Sequence, residues 1–401
     1  MDGSGKTPQF ALGVEEEFAI VDARTGMLVP GYNALMQRAP LAAHDHMKPE
    51  FLQSVVECIT SVCLDVAAVD RETRQWRATA SALARDAGLA IVAMGTHPSG
   101  RWWDQVRTDH PRYQALEEHL HDVARSILIY GLHVHVNIDN LDLRIAVMNQ
   151  ARSFLPQILA LSANSPFWLG RNTGYQSFRM EVWAPFPMSG IPPIFAGAAE
   201  YTDHIEFMKE VGALNTVRRV WWDIRSHETH PTLEYRIADM PIRHEDTMAI
   251  IAFIQALTKT LADRTVAGYP LTPQPTEIVM ENRFRAAHDG LRGTQIDWAN
   301  HCAIPTTKAI AATLDCIAPA AAELGLKPYM AHLREMLSPR YQSGAERQLA
   351  ALQRAKTVDT QRHAVVDMLM RETMLDIDPK DALPLLDLPP DDKLKPPHSG
   401  R

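Results

Sequence analysis

Polar and apolar residues alternate in several short runs of this chain, most clearly over residues 131–139 (GLHVHVNID). In an extended strand His133, His135, Asn137 and Asp139 share one face, and Leu132, Val134, Val136 and Ile138 take the other. Small polar groups crowded on one face make poor core, because each needs a partner once buried. They suit the wall of a wet cleft that holds a cation or a phosphate. A half-exposed strand with incidental histidines is the plain alternative.

Other runs repeat the pattern. Residues 11–21 (ALGVEEEFAIV) read as a strand with Glu15 and Glu17 on one face and Val14, Glu16 and Phe18 on the other. Carboxylates about 7 Å apart along a strand repel unless a cation lies between them, and hard divalent ions take such oxygen ligands. An exposed acidic edge is the alternative. Residues 50–59 form a second strand carrying Glu57, a metal ligand or the partner of an arginine. Residues 89–95 form a short strand that delivers the turn Gly95-Thr96-His97-Pro98. In the run 231–241 Thr232, Glu234, Arg236 and Ala238 share a face, and a Glu–Arg pair two apart offers a metal ligand and a phosphate clamp, or only a surface ion pair. If residues 178–183 are extended, Arg179 and Glu181 share a face too.

Helical spacing marks residues 70–87, 111–130, 141–162 (kinked at Pro156), 196–212 and most of 306–374. The stretch 164–195 is long, proline-rich and loop-like, which inside a compact domain usually means function. The expected organisation is a disordered start over 1–9, one catalytic domain over 10–375 and a proline-rich flexible tail over 376–401.

Bulk properties narrow the classes. The chain has 401 residues, 46% hydrophobic and 22% charged, ordinary for a globular protein. A formal net charge of −8 argues against a nucleic-acid binder. The four cysteines show no CxxC pair and no metal spacing, and neither a signal peptide nor an apolar run long enough to span a bilayer is evident. A cytoplasmic protein with reduced thiols, acting on small molecules and not on membranes or nucleic acid, is the expectation.

Recurrence carries more than any single run. Glu15/Glu17, Glu57, His133/His135/Asn137, Arg179/Glu181 and Glu234/Arg236 each put charged or imidazole groups on one face. Antiparallel strands joined by helices would make a curved sheet with one polar concave side and one apolar side under helices, an α+β fold with a helical C-terminal part. Carboxylates with a few arginines suit Mg²⁺-bound ATP, and neither a P-loop nor a kinase glycine loop is present.

The ordered series LGVEEEF, EFLQSVVE, GTHP, GLHVHVNI, LSANSPFW, FRMEVWAPFP, WWDIR and LEYRIADMP, continuing to ENRFRAAHDGL, resembles the carboxylate–amine ligases of the glutamate–cysteine ligase type 2 family. The resemblance implies a glutamine-synthetase-like catalytic fold whose antiparallel sheet forms a cleft for ATP and Mg²⁺ or Mn²⁺. By the same resemblance Glu15, Glu17, Glu57, His135 and Glu234 are metal ligands. His133, His135, Asn137 and Arg236 contact the nucleotide. Arg236, Glu57 and Arg179 serve catalysis, and Arg179, Arg225 and Thr96 the substrate. Arg171 and Met188 depart from the family pattern in the loop expected to shape the acceptor side.

The implied chemistry is two-step: a carboxylate, best the γ-carboxylate of glutamate, takes the γ-phosphoryl group of ATP, and an amine then displaces phosphate. No cysteine or serine stands in an activated pair, and this route needs no covalent nucleophile. Two other readings stay open: a zinc or iron hydrolase built on the His-x-His strand, and a non-enzymatic nucleotide sensor. The fold is compatible with a homo-oligomer.

Overall fold

The computed structural model describes residues 9–386 apart from 216–218 and 356–357, and of 358–363 the backbone only. The expected disorder over residues 1–8 and the tail beyond residue 386 lie outside that range.

Seven strands make one antiparallel sheet. They are β1 (Leu12–Asp22), β2 (Met47–Pro49), β3 (Val55–Ile59), β4 (Leu89–Val92), β5 (Gly131–Asn137), β6 (Ile224–Ser226) and β7 (Thr232–Asp239). Their order is β6-β7-β5-β1-β3-β2, with β4 beside the end of β1. The antiparallel α+β architecture and the mainly helical part after residue 306 agree with expectation.

Helices cover the apolar side: α1 (Val66–Asp86), α3 (Leu141–Ala151), α4 (Leu155–Ser162) and α6 (His244–Val266) all pack on sheet strands. Between α1 and α3 lies α2 (Pro111–Leu120), and α5 (Arg179–Trp183) and α7 (Thr276–Asp289) frame the rest. Val14, Phe18, Val134, Val136, Leu233 and Tyr235 are buried on the helix side. Glu16 is buried there as well, against the fully buried Arg77 of α1, whose Nη2 lies 2.6 Å from its carboxylate. The register then brings chemistry into rows. Glu15 faces His133, Glu17 faces Glu57, and Glu234 stands between His135 and Arg225. One extra residue in β7 between Tyr235 and Ala238 forms a bulge next to Arg236.

Several expectations need correction. Residues 178–183 are not extended: Arg179–Trp183 is one helical turn, seated by the Arg179 N–H on Ser165 Oγ at 3.0 Å and by Trp183 stacked on Phe186 at 4.8 Å. Arg179 and Glu181 therefore share no strand face. The run 111–130 breaks at His121, which takes φ 47°, and the run 141–162 splits into α3 and α4, with Pro156 in the first turn of α4 where its missing N–H costs nothing. The flexible tail does not begin at 376. Ile377 is buried, the Leu383 N–H reaches Thr79 Oγ1 at 3.0 Å and the Leu386 N–H reaches the Arg38 carbonyl at 3.0 Å.

Candidate active site

The polar side of the sheet lines one cleft with a cavity volume of about 250 Å³, walled by Glu15, Glu17, Glu57, His133, Arg179, Arg225, Glu234 and Arg236. Three groups of ligand-type atoms lie within 4.8 Å of one another there: Glu15/Glu57/His133, Glu15/His135/Glu234 and Glu17/Glu50/Glu57. Residues 219 positions apart in the chain thus converge through strand register alone.

The hydrogen bonds define how each imidazole is presented. His133 Nδ1 sits 2.8 Å from Glu15 Oε2, so Nδ1–H donates to the carboxylate and Nε2 carries the lone pair. That Nε2 is buried with no hydrogen-bond partner. His135 Nδ1 lies 3.0 Å from Thr232 Oγ1, and its Nε2, likewise orphaned, faces Glu15 Oε1 at 3.3 Å. Glu234 is gripped by Arg225 through Nε at 2.7 Å and Nη2 at 3.2 Å, and by Arg236 Nη1. The Gly131 N–H donates to Glu17, and the Phe51 N–H donates to Glu50 at 3.1 Å.

Electrostatics divides the acids into two kinds. Burial pushes Glu15 up, but the hydrogen bond from His133 and the His135 imidazole 3.3 Å away outweigh it and hold the carboxyl well below its usual range. Glu234 is likewise depressed, burial being overcome by the Arg236 and Arg225 charges. Burial and the Glu50 charge push Glu17 up to about 7. Burial raises Glu50 and, with the charges of Glu15 and Glu50, lifts Glu57 well above the ordinary range. Burial and the Arg236 charge lower His133 to about 4, which leaves it neutral. His135 moves up because Glu234 and Glu15 overcome its burial. The orphaned imidazole nitrogens and the mutually repelling carboxyls form an oxygen-rich donor set that fits divalent cations.

Not every expected residue joins the cleft. Thr96 is a correction: it is fully buried, its hydroxyl donates to the Phe167 carbonyl at 2.7 Å, and it lies outside the lining. Its site is set by the pairing of Thr96 with Ile129, which a turn motif does not reveal. Asn137 is buried at the far end of β5, its Nδ2 3.1 Å from Asp139 Oδ1. Arg171 is exposed and outside the lining. Conversely Glu50, Arg112, Arg219, His227 and the aromatic group Trp183, Phe186 and Trp221 line the cleft without having been singled out. His227 was the findable one, three residues before His230 in a short histidine-rich turn.

A sequence model described as Glutamate-cysteine ligase family 2 matches residues 11–368. The chain belongs to that family. A relative from Solibacter usitatus is 37% identical over 371 residues, covering 92% of this chain and 95% of its own. One from Sorangium cellulosum is 38% identical over 371 residues, covering 92% and 97%. Both carry the name "Putative glutamate--cysteine ligase 2". Two solved structures share the fold. Glutamate–cysteine ligase from Francisella tularensis in complex with AMP has TM-score 0.68 at 13% identity, over 92% of this chain and 89% of that one. A bifunctional glutathione synthetase from Pasteurella multocida has TM-score 0.66 at 15% identity, over 91% of this chain and 53% of that one.

As a family 2 member the chain is an ATP-dependent carboxylate–amine ligase. The hydrolase alternative finds no support: the whole-length match is to ligases, and the cleft has more carboxylate than imidazole. No helix among the described residues is long and apolar enough to cross a membrane.

Proposed function

We propose that this ligase joins the γ-carboxylate of glutamate, or a closely similar carboxylate, to an amine through an acyl phosphate. A carboxylate oxygen attacks the γ-phosphorus of ATP and ADP leaves. The amine nitrogen then attacks the acyl carbon, the C–O bond to phosphate breaks, and the amine proton is lost as the amide forms. The main obstacle is charge: a carboxylate must approach a polyphosphate of the same sign.

The triads Glu15/Glu57/His133 and Glu15/His135/Glu234 would hold divalent ions, Mg²⁺ or Mn²⁺, with Glu17 completing the acid row. Bound there, such ions neutralise phosphate charge in the way phosphoryl transfer requires. The chain's own cations do the remaining work. Arg236 is largely shielded, its charge strengthened by Glu234 and Glu15; its Nη1 is engaged by Glu234, and its Nε is unpartnered in the cleft. Arg236 therefore faces the transferring phosphoryl group, while Arg179, whose Nε is also unpartnered, faces the substrate carboxylate. The four free cysteines fit a cytoplasmic location.

The observation that carries this reading is the closure of Glu15, His135 and Glu234, from three separate strands, within 4.8 Å. Glu15→Gln and Arg236→Ala are expected to abolish ATP-dependent phosphate release while far-UV circular dichroism stays unchanged. Wild-type rates in both variants would remove the assignment.

A further inference from the structure

The two ends of the sheet line the cleft with different chemistry. At the β6–β7 end Trp221 stands edge-on to Trp183 and Phe186, each at 5.8 Å. The guanidinium groups of Arg225 and Arg236 lie over the Trp221 ring at 5.5 and 5.4 Å. Flat rings beside fixed cations suit a purine and its phosphates.

The β2–β3 end is apolar. Phe51, Leu52, Val55, Leu116, Ile127 and Ile129 line it. Tyr113 adds a ring whose hydroxyl is already spent on the Pro49 carbonyl at 3.1 Å, and which meets Phe51 edge-on at 5.8 Å. The wall begins where the acids end, since Glu50 accepts the N–H of Phe51. At its rim stands Arg112, in the first turn of α2, exposed, with its guanidinium 5.7 Å from the Tyr113 ring centre. Arg112 makes no ion pair among the described residues, and its charge reaches Glu50.

An unpaired cation, an apolar wall and a row of carboxylates form three points of contact for an amino acid. We infer that this end of the cleft is the acceptor subsite and that it takes an α-amino acid with an apolar side chain of valine to methionine size. Its carboxylate rests on Arg112, its side chain on the wall, and its amine points to the acids where the acyl group is activated. Glutamate gains nothing from such a wall, glycine leaves it bare, and serine would bury an unpartnered hydroxyl. The inference rests on the ligase reading above.

The test is phosphate release by the whole protein with ATP, Mg²⁺ and L-glutamate, comparing glycine, L-serine, L-cysteine, L-valine, L-leucine, L-methionine and isoamylamine (leucine without its carboxylate). Leucine or methionine should exceed serine and glycine in kcat/KM at least about tenfold, as differences of a few methylenes allow. Isoamylamine should be far weaker. Arg112→Gln should raise KM for leucine about tenfold, leave KM for ATP unchanged and erase the gap between leucine and isoamylamine. Leu116→Ala should lower the leucine-to-glycine ratio, a comparison within one variant that folding losses do not touch. Serine equal to leucine, cysteine above both, or an Arg112→Gln protein with the wild-type gap between leucine and isoamylamine would overturn the subsite.

If no acceptor drives phosphate release, the reading of glutamate as the donor has failed. Calorimetric titration of L-leucine and of L-serine into protein holding Mg²⁺ and a non-hydrolysable ATP analogue then decides the subsite separately. Tighter binding of leucine upholds it; equal or undetectable binding removes it.

Discussion

The guanidinium of Arg179 lies so close to the α-carbon of Gly131 that a Cβ built on Gly131 would overlap Arg179 Nη2 and Cζ. The first residue of β5 has no side chain because a cation from α5 occupies its space. Arg179 is held there by its Nη1 contacts to the carbonyls of Arg236 and Ile237 at 3.3 and 3.4 Å. Gly131→Ala should push the guanidinium away from the cleft and cut kcat on the order of 10²-fold, as small misplacements of a reacting group do. Steady-state kinetics beside a melting curve will separate this from simple unfolding.

Glu15 and Glu16 are neighbours with opposite duties. Glu16 faces the helices and accepts from Arg77 Nε at 3.0 Å and Nη2 at 2.6 Å, in a place where neither side chain meets water. Glu16→Ala would strand a buried guanidinium and should cost about 3–5 kcal/mol in a urea titration. Glu15→Gln should leave the same titration nearly unchanged while removing activity.

The pH dependence of metal binding follows from the raised carboxyls. Glu17, lifted to about 7, and Glu50 and Glu57, also lifted, hold protons that ordinary carboxylates would have lost. A divalent ion must displace them, so binding releases protons and affinity rises as pH increases from about 5 towards 7. Calorimetry of Mn²⁺ binding in buffers of different ionisation enthalpy should show proton release at pH 6 that shrinks by pH 8. Glu17→Gln should reduce it.

Asp223 links the cleft to α7. Its buried carboxylate takes Arg283 Nε at 2.7 Å, and its carbonyl accepts the Arg236 N–H at the bulge, at 2.9 Å. Arg283→Met should cost about 3 kcal/mol by leaving that carboxylate unpaired, and should lower kcat roughly tenfold through Arg236. Arg283→Lys should restore much of both, measured by denaturation and initial rates.

Period-two alternation grouped six of the cleft's charged and imidazole residues, whereas Arg225 on β6 came only from the family resemblance. Glu15 and Glu17 on β1, His133 and His135 on β5, and Glu234 and Arg236 on β7 all follow from counting by twos. The rule lapses where the phase resets. Glu50 and Glu57 are an odd seven residues apart and belong on opposite faces of one continuous strand, yet the turn between β2 and β3 brings both to the cleft. Arg112, Trp183 and Phe186 reach the cleft from helix ends and a loop, whose placement depends on packing between distant segments and leaves no periodic trace. Thr96 illustrates the reverse error: a polar turn residue can be wholly consumed by holding two loops together.

Glu15 is shared by the Glu15/Glu57/His133 and Glu15/His135/Glu234 groups, and each of its oxygens faces a different histidine. Divalent ions held at these two groups would share that carboxylate, so the two positions would not fill independently. Loss of Glu15 should then weaken both positions together, whereas loss of Glu234 would touch one of them.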